Sequence, residues 1–272
     1  MQSLQQELWA REGPRVATHV GDLAWRLHRE DLAWKRQLWF DGERCVAWAW
    51  LERPASLDYE VHPDVREALH RNVLGWFESE AEGDTLTAYA FEPNRLAAWG
   101  YVRPEPYKWY AYHVRELERG PPEPAVPDGF TLRTVGGDDF RKRVDIHRAV
   151  WAPSRVTEAV YRRVTQAWPY RPDLDCVVEA PDGSFAAYVL CWYDDVNRVG
   201  ELEPVGTHPD YRRRGLGAAV CTYALQRLHE AGAQQAIVYA GGRDQDAPAR
   251  ALYESIGFRR HARVVELRKI RR

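Results

Sequence analysis

The spacing of hydrophobic and polar positions along this chain predicts strands alternating with helices, most clearly in its second half. Runs of consecutive or alternating apolar residues predict strands, and apolar residues three or four positions apart predict helices. The order predicted from residue 130 onward is strand, helix, helix, three strands, helix, strand, helix and strand. These elements are residues 130–135, 138–149, 157–167, 175–179, 185–193, 198–207, 216–231, 235–240, 247–256 and 260–267. The alternation predicts the fold class α/β (α+β).

A proline-rich segment interrupts this pattern near the middle of the chain. Residues 119–129 hold four prolines and two glycines. Proline removes a backbone donor and fixes φ, so neither a helix nor a central strand can run through the segment. We therefore predict a first domain at 1–118, a linker at 119–129 and a second domain at 130–272, each domain of ordinary size.

The first half carries a fainter version of the same order, and two short segments repeat. Residues 62–66 (HPDVR) match residues 208–212 (HPDYR), and residues 99–101 (WGY) mirror residues 256–258 (IGF). The repeats occur in the same order in both halves. A duplication of one fold explains this better than chance does.

The strongest local signal is a basic, glycine-containing turn between a predicted strand and a predicted helix. Arg212, Arg213 and Arg214 precede Gly215 and Gly217 at the start of the helix. The first N–H groups of a helix have no intrahelical partner, and glycine lets phosphate oxygens approach them. The pattern is neither a Walker loop nor a Rossmann fingerprint. The alternative is an ordinary strand–turn–helix with a solvated basic patch.

These residues resemble the acyl-CoA motif of the GNAT superfamily, [Q/R]-x-x-G-x-[G/A] after a strand. A second segment, 246–258 (DAPARALYESIGF), is similar to the family's N-x-x-A-x-x-L-Y-x-x-x-G-F helix. The resemblance implies two tandem GNAT-like folds, each a central mixed, splayed β-sheet flanked by helices. It also implies that backbone groups of residues 213–218 hold the pyrophosphate of acetyl-CoA, while Val205 and Thr207 pair with its pantetheine arm. The residues expected to contact this co-substrate are Val205, Gly206, Thr207, Arg212, Arg213, Arg214, Gly215, Leu216, Gly217, Ala218, Asp246, Ala249 and Tyr253.

Acetyl transfer from a thioester to an amine needs a base, an oxyanion donor and an acid. The resemblance implies that Tyr253 is the acid and that the main-chain N–H of Val205 is the oxyanion donor. Tyr253 could instead pack in the core. Strand alternation places Glu201, Glu203 and Val205 on one face. For the base we prefer Glu203 to Glu201, because Glu203 lies nearer the splay, and it could act directly or through a water. These carboxylates could instead line a solvated face or hold the ammonium group of the acceptor.

One position departs from the family pattern, which often has Asn where this chain has Asp246. An ionised Asp accepts hydrogen bonds but cannot donate them. A contact from this position to pantetheine or amine is therefore in doubt, and Asp246 could cap the helix that follows instead.

The first half lacks the chemistry of the second when the repeats are aligned. Leu69 and Arg71 stand where the second half has its two glycines, Leu57 stands at the position of Glu203, and Leu96 stands at that of Tyr253. We therefore predict a degenerate, non-catalytic GNAT-like domain that does not bind acyl-CoA productively. It resembles the inactive halves of tandem GNAT proteins, such as mycothiol-synthase-like enzymes, although no substrate motif supports that reaction.

The residues that could contact the acceptor amine are less clearly indicated by the sequence. Analogy with the family places the acceptor near the first two helices of the second half. The candidates there are Trp151, Arg155, Tyr161, Trp168 and Tyr170, and Trp48, Trp50, Trp99, Trp109 and Tyr110 could line a wall between the halves.

Net charge and composition narrow the classes of molecule that this protein is expected to bind. The formal net charge of −2 gives no indication of nucleic-acid or membrane binding, and the N-terminus lacks the apolar segment of a signal peptide. We expect a cytoplasmic monomer or homodimer, without a metal, that uses acetyl-CoA and a small amine. Two other functions stay open, namely a CoA-sensing module without catalysis and an acyltransferase for a longer acyl-CoA or an O-acceptor.

Overall fold

A computed structural model describes residues 1–27, 34–91 and 96–271. The strands in these ranges are β1 Trp34–Asp41, β2 Arg44–Glu52, β3 Ser56–Val61, β4 Thr85–Phe91, β5 Trp109–Glu116, β6 Thr131–Thr134, β7 Asp175–Glu179, β8 Phe185–Asp194, β9 Val199–Thr207, β10 Gln235–Gly241 and β11 Arg259–Ile270. The α-helices are α1 Gln2–Glu12, α2 Val20–Leu27, α3 Arg66–Glu80, α4 Phe140–Val150, α5 Glu158–Val164, α6 Leu216–Glu230 and α7 Ala247–Ser255. The fold class α/β is confirmed.

The elements predicted for the second half are all present, with ends that differ by at most three residues. The helix predicted at 157–167 is the most shortened, because α5 ends at Val164 and the chain then turns. Its start is set by Thr157, whose hydroxyl accepts a hydrogen bond from the N–H of Val160 at 3.2 Å. Local sequence signals therefore decide where these elements begin.

The described strands form one mixed sheet in the order β1-β2-β3-β4-β11-β5-β10-β9-β8-β7-β6. The last strand of each half is exchanged at the centre of this sheet. β5 belongs to the first half but lies between β10 and β11, with His113 opposite both Val238 and Arg260. β11 belongs to the second half but pairs with β4. The predicted linker at 119–129 therefore separates the halves along the chain, whereas the sheet joins them in space.

Two pairs of parallel strands separate along their length. β9 and β10 are paired from Val199 to Glu201, and their register ends at Glu201 opposite Ile237 although β9 continues to Thr207. β3 and β4 show the same behaviour, with their register ending at Leu57. Each half thus contains a splay of the kind implied by the family resemblance.

The sequence repeats correspond to repeated hydrogen bonds. The Nδ1 atom of His62 accepts from the N–H of Asp64 at 3.3 Å, and the Nδ1 atom of His208 accepts from that of Asp210 at the same distance. The second repeat ends with Tyr101 N–H bonded to the carbonyl of Leu96 at 3.3 Å. Its counterpart has Phe258 N–H bonded to the carbonyl of Tyr253 at 3.0 Å. The two halves therefore share local geometry as well as sequence.

The two halves also share a hydrophobic core. Trp48 and Trp50 of β2 are buried in one cluster with Val199 and Ile237 of the second half, and helix α1 covers that cluster with Leu8. Burying large apolar side chains across a boundary opposes separation of the two sides. Over the part of the chain described, no helix is long and apolar enough to cross a membrane.

Candidate active site

The basic turn before α6 is open to solvent and its amide groups are uncovered. Gly215 is the N-cap of α6 at φ 78°, and no side chain within the described ranges caps the helix. A Cβ added to Gly215 would meet no described atom within 4 Å. A Cβ added to Gly217 would lie 3.1 Å from the hydroxyl oxygen of Thr207. A helix start of this kind attracts an anion through its free N–H groups and its dipole.

The residues expected to contact acetyl-CoA surround this turn and the splay. Arg212, Arg213, Arg214 and Gly215 are exposed, Val205, Thr207, Gly217, Ala218, Asp246 and Ala249 are half-buried, and Gly206 and Leu216 are buried. The arginines also support the turn, since Nε of Arg212 donates to the carbonyl of Thr207 at 3.4 Å. The geometry thus fits a diphosphate at the turn and an extended arm beside β9.

Strand β9 carries a bulge that changes one expectation. The register with β8 pairs Val205 with Val189 and Leu202 with Cys191, so one residue too many lies between them on β9. Leu202 and Val205 consequently both pack in the core beneath α6. The prediction that Val205 shares a face with Glu201 and Glu203 is wrong, because the bulge at Glu203 and Pro204 shifts the alternation.

The two carboxyl groups of β9 differ in their surroundings. The side chain of Glu201 is 0% exposed, whereas Glu203 is half-buried. The pKa of Glu203 is raised to about 7, mainly by burial and also by the nearby Asp22, while Arg26 opposes the rise. Burial likewise raises the pKa of Glu201 to about 8, with the Glu203 charge adding to the effect. Both groups can thus hold or release a proton near neutral pH.

The first half places further titratable groups against these carboxyls. Helix α2 packs on β8 and β9, where a Cβ on Gly21 would lie 2.3 Å from Cγ of Trp192. This close approach brings in His19, whose Nδ1 lies 3.1 Å from Oε2 of Glu201. It also brings in Asp22, whose pKa burial raises to about 8. His19 and Asp22 are not among the residues predicted from the sequence, and the only sequence signal for a close contact in this stretch is the glycine at position 21.

Tyr253 lies on α7 and is buried, with 6% of its surface exposed. Burial raises its pKa well above the ordinary value, and the charge of Glu203 contributes. The phenol therefore stays protonated at neutral pH, as a proton donor must. Its ring packs against His113 of β5 and Phe258. The packing that was the alternative to a catalytic role is real, but it does not conflict with that role.

Asp246 takes the N-cap position of α7, yet its side chain makes no capping hydrogen bond within the described residues. Its carboxylate lies against the backbone of β10, where a Cβ on Gly241 would be 2.2 Å from Oδ2. The Nε atom of Arg243 lies 3.7 Å from Oδ2 and forms an ion pair with it. Asp246 therefore borders the end of β10 beside the splay, as an acceptor group.

The acceptor-side candidates divide into exposed and structural residues. Trp151 and Trp168 are 50% and 49% exposed. The Nε1 atom of Trp151 donates to the hydroxyl of Tyr188 at 2.8 Å. Tyr161 is 1% exposed and bonds to Asp175 inside the core. Analogy placed Tyr161 at the acceptor, and the structure instead gives it a packing role.

The corresponding turn of the first half has a different shape. Helix α3 begins at Arg66, directly after the 3-10 turn Pro63–Val65, so no glycine turn precedes it. Leu69 packs on the core of the first half, and the guanidinium of Arg71 lies 5.0 Å from the ring centre of Trp99. Leu69 and Arg71 thus lie inside α3, and the helix has Val65 at its N-cap where α6 has Gly215.

Two further features of the described residues concern metal ligands and thiols. Across residues 1–27, 34–91 and 96–271, no group of three or more His, Cys, Asp or Glu side chains could hold a metal ion. The four cysteines are buried and free, and burial raises the pKa of Cys191 and Cys221. Both thiols therefore favour the protonated form.

Comparison with known proteins agrees with the geometry of the second half. Residues 143–258 match the family described as Acetyltransferase (GNAT) family. A mycothiol acetyltransferase of Nocardiopsis dassonvillei is 34% identical over 256 residues, which cover 79% of this chain and 76% of that protein. A mycothiol acetyltransferase of Streptomyces coelicolor is 27% identical over 238 residues, covering 82% of this chain and 76% of that protein.

Solved structures agree with the fold of the whole chain. A tandem GNAT protein from the clavulanic acid biosynthesis pathway is similar with a TM-score of 0.67 at 18% identity, covering 99% of this chain and 94% of that one. A GCN5-related N-acetyltransferase from Sphaerobacter thermophilus is similar with a TM-score of 0.66 at 22% identity, covering 84% of this chain and 78% of that one. The tandem arrangement predicted from the repeats is thus confirmed.

Proposed function

Because the chain belongs to the GNAT family of acetyltransferases, we propose that it transfers the acetyl group of acetyl-CoA to a primary amine of a small molecule. The observation that carries the proposal is the splay beyond Glu201 and Ile237. The open turn before α6 lies near this splay, as do the acid–base candidates Glu203 and Tyr253. In the reaction the amine nitrogen attacks the thioester carbonyl. A C–N bond forms, the C–S bond breaks, and the ammonium form of the amine loses two protons, one of which ends on the thiol.

The acetyl-CoA side uses backbone groups. The N–H groups at the start of α6, from Arg213 to Ala218, bind the pyrophosphate, and Val205 and Thr207 pair with the pantetheine arm as one more strand would. The N–H of Val205 also donates to the oxyanion that forms at the carbonyl. A backbone donor held in a sheet needs no reorganisation when that charge develops.

The acid–base steps fall to side chains on either side of the splay. Glu203 takes a proton from the ammonium group, directly or through a water, because its pKa of about 7 matches neutral pH. Tyr253 donates a proton to the departing thiolate, since its raised pKa keeps the hydroxyl protonated until a stronger base is present.

The acceptor is a cationic small molecule in this proposal. Asp22, Glu201 and Glu203 place three carboxyl groups near one another, with Arg26 as the nearby cation. Arg26 is already paired with Asp58. Because burial raises the pKa of Asp22 and Glu201 to about 8 and that of Glu203 to about 7, Glu203 is the carboxyl group that ionises first and attracts an ammonium group. Relatives named mycothiol acetyltransferase make a mycothiol-type amine the first acceptor to test.

The test measures free thiol released from acetyl-CoA in the presence of single amines from a panel. We expect release with at least one amine and a fall in kcat of about 100-fold in Tyr253→Phe, with the Kd of acetyl-CoA unchanged. Tyr223→Phe on α6 is the matched control and should retain activity. Equal activity of Tyr253→Phe and wild type would remove Tyr253 from the mechanism.

A CoA-binding module without catalysis is the second candidate, and the Asp246 carboxylate beside β10 favours it because it cannot donate a hydrogen bond when ionised. Calorimetry separates the two functions. Acetyl-CoA binding with no thiol release across the amine panel would support the binding module.

A further inference from the structure

The imidazole of His19 contacts Glu201 through the same nitrogen that contacts its own backbone. Nδ1 of His19 lies 3.1 Å from Oε2 of Glu201 and 3.1 Å from the backbone nitrogen of Gly21. Both side chains are almost completely buried, at 2% and 0% exposed. Water therefore does not compete for either contact.

The chemistry of one ring nitrogen determines where the protons lie. A backbone N–H is always a donor, so Nδ1 of His19 must present its lone pair to Gly21. An unprotonated Nδ1 has no hydrogen to give to Glu201. The 3.1 Å contact with Oε2 is then a hydrogen bond only if Glu201 supplies the proton. The local turn at Gly21 and this contact together favour a neutral Glu201.

Two other histidines of this chain support the acceptor role of Nδ1. His62 and His208 each accept from the N–H two residues further on, at 3.3 Å. His19 repeats this local turn immediately before α2, with Gly21 as the donor. The turn fixes Nδ1 as an acceptor by local backbone geometry, independently of what lies across from it.

We propose that His19 is a positioning residue of the acetyl-transfer site, which holds Glu201 in its protonated form and so leaves Glu203 as the carboxylate that takes the proton from the acceptor. The inference rests on the proposed function for its catalytic consequence. It assigns a role to the first half, because the segment before α2 selects which of the two acids on β9 is the base. Like-charged carboxyls this close resist ionising together, so a neutral Glu201 makes ionisation of Glu203 easier.

The surroundings of Glu201 agree with a neutral acid. Burial raises its pKa to about 8, and burial lowers the pKa of His19 to about 4, so neither carries a full charge at neutral pH. The other titratable groups that interact electrostatically with this pair come from the neighbouring elements. They are Asp22 and Arg26 of α2, Asp194 of β8, Glu203 of β9, Tyr112 of β5 and Tyr239 of β10.

The first experiment observes the proton without any acceptor. Infrared difference spectra of protein labelled with ¹³C-glutamate, wild type minus Glu201→Gln at neutral pH, should show the C=O band of a protonated carboxyl group. Glu67→Gln on the exposed face of α3 is the control and should leave that band in place. A carboxylate band in the Glu201 difference spectrum would overturn the proposal, whether or not the protein acetylates any amine.

The second experiment tests the consequence for catalysis. His19→Ala removes the acceptor of the Glu201 proton, so Glu201 ionises more easily and its charge opposes ionisation of Glu203. We expect the acidic limb of the kcat/KM profile to move to higher pH by about half a unit or more, with the Kd of acetyl-CoA unchanged. The double variant His19→Ala with Glu201→Gln should return the limb to lower pH, because the amide is permanently neutral.

The two experiments fail in different ways. An unmoved limb in folded His19→Ala, or a double variant that does not restore it, would overturn the positioning role. Absence of thiol release with every amine would instead refute the proposed function and leave the infrared result to decide the state of Glu201. If His19→Ala does not fold, the infrared measurement on wild type and Glu201→Gln still decides.

Discussion

The rings of His113 and Tyr253 lie with their centroids 5.9 Å apart, although the two residues belong to different halves of the chain. His113 reaches this position because β5 of the first half is inserted between β10 and β11 of the second. The proposed acid therefore packs against a residue from outside its own half. Neither half has a complete sheet without the other.

Separating the halves tests this exchange. We expect residues 119–272 alone to lack a cooperative thermal transition and acetyl-CoA binding, because β10 and β11 would each lose the strand between them. Co-expression of residues 1–118 with residues 119–272 should restore a complex that elutes together and melts cooperatively. An isolated second half that binds acetyl-CoA with the affinity of the full chain would contradict the prediction.

Two glycines with similar positive φ values provide a matched test of the open turn before α6. Gly215 and Gly83 have φ of 78° and 86°, and a Cβ at either would meet no described atom within 4 Å. Alanine should cost about 1–2 kcal/mol of stability at both positions. Gly215→Ala should also weaken acetyl-CoA binding about tenfold or more in calorimetry, whereas Gly83→Ala should not. Equal affinities in the two variants would argue against this turn as the phosphate site.

Gly21 is predicted to be intolerant of any side chain. A Cβ there would lie 2.3 Å from Cγ of Trp192 and 2.6 Å from Oε2 of Glu201. We expect Gly21→Ala to destabilise the protein by about 1–3 kcal/mol through overpacking. A Cβ on Gly75 in α3 would meet no described atom within 4 Å, so Gly75→Ala should stabilise the folded protein by about 0.5–1 kcal/mol. Urea unfolding of both variants measures the contrast, and a stable Gly21→Ala would show that α2 does not pack closely.

The stability of the fold should depend on pH through Glu201. Its pKa is raised from 4.5 to about 8, so the folded state favours the protonated form. The stability that this group contributes is full below pH 4.5 and is lost as pH rises through about 8. Glu201→Gln should therefore lose less Tm than wild type between pH 5 and pH 9, by at least about 2 °C. Glu67→Gln should follow wild type, and parallel curves for Glu201→Gln and wild type would contradict the assignment.

The first half should not add a second cofactor site. Helix α3 begins directly after its 3-10 turn, and Val65 stands at its N-cap where α6 has Gly215. Calorimetric titration should give one acetyl-CoA per chain, and Gly215→Ala should weaken that single event. A stoichiometry of two would mean that the first half binds the cofactor as well.

Structural elements that depend only on neighbouring residues could be predicted from the amino-acid sequence alone. The glycine turn before α6 and the helix holding Tyr253 follow from φ preference and apolar spacing, which act over a few residues. Those short-range signals sufficed for the fold class and for the tandem family resemblance, both of which are confirmed. The roles of Tyr253, Glu203 and Glu201 stay predictions.

Contacts between segments that are distant along the chain could be found only in the folded structure. Strand alternation could not reveal the bulge at Glu203 that turns Val205 to the opposite face, because a bulge depends on pairing with β8. The exchange of β5 and the contact of His19 with Glu201 join residues that are far apart along the chain. Such contacts are selected by burial and packing of the whole sheet, which no local pattern encodes.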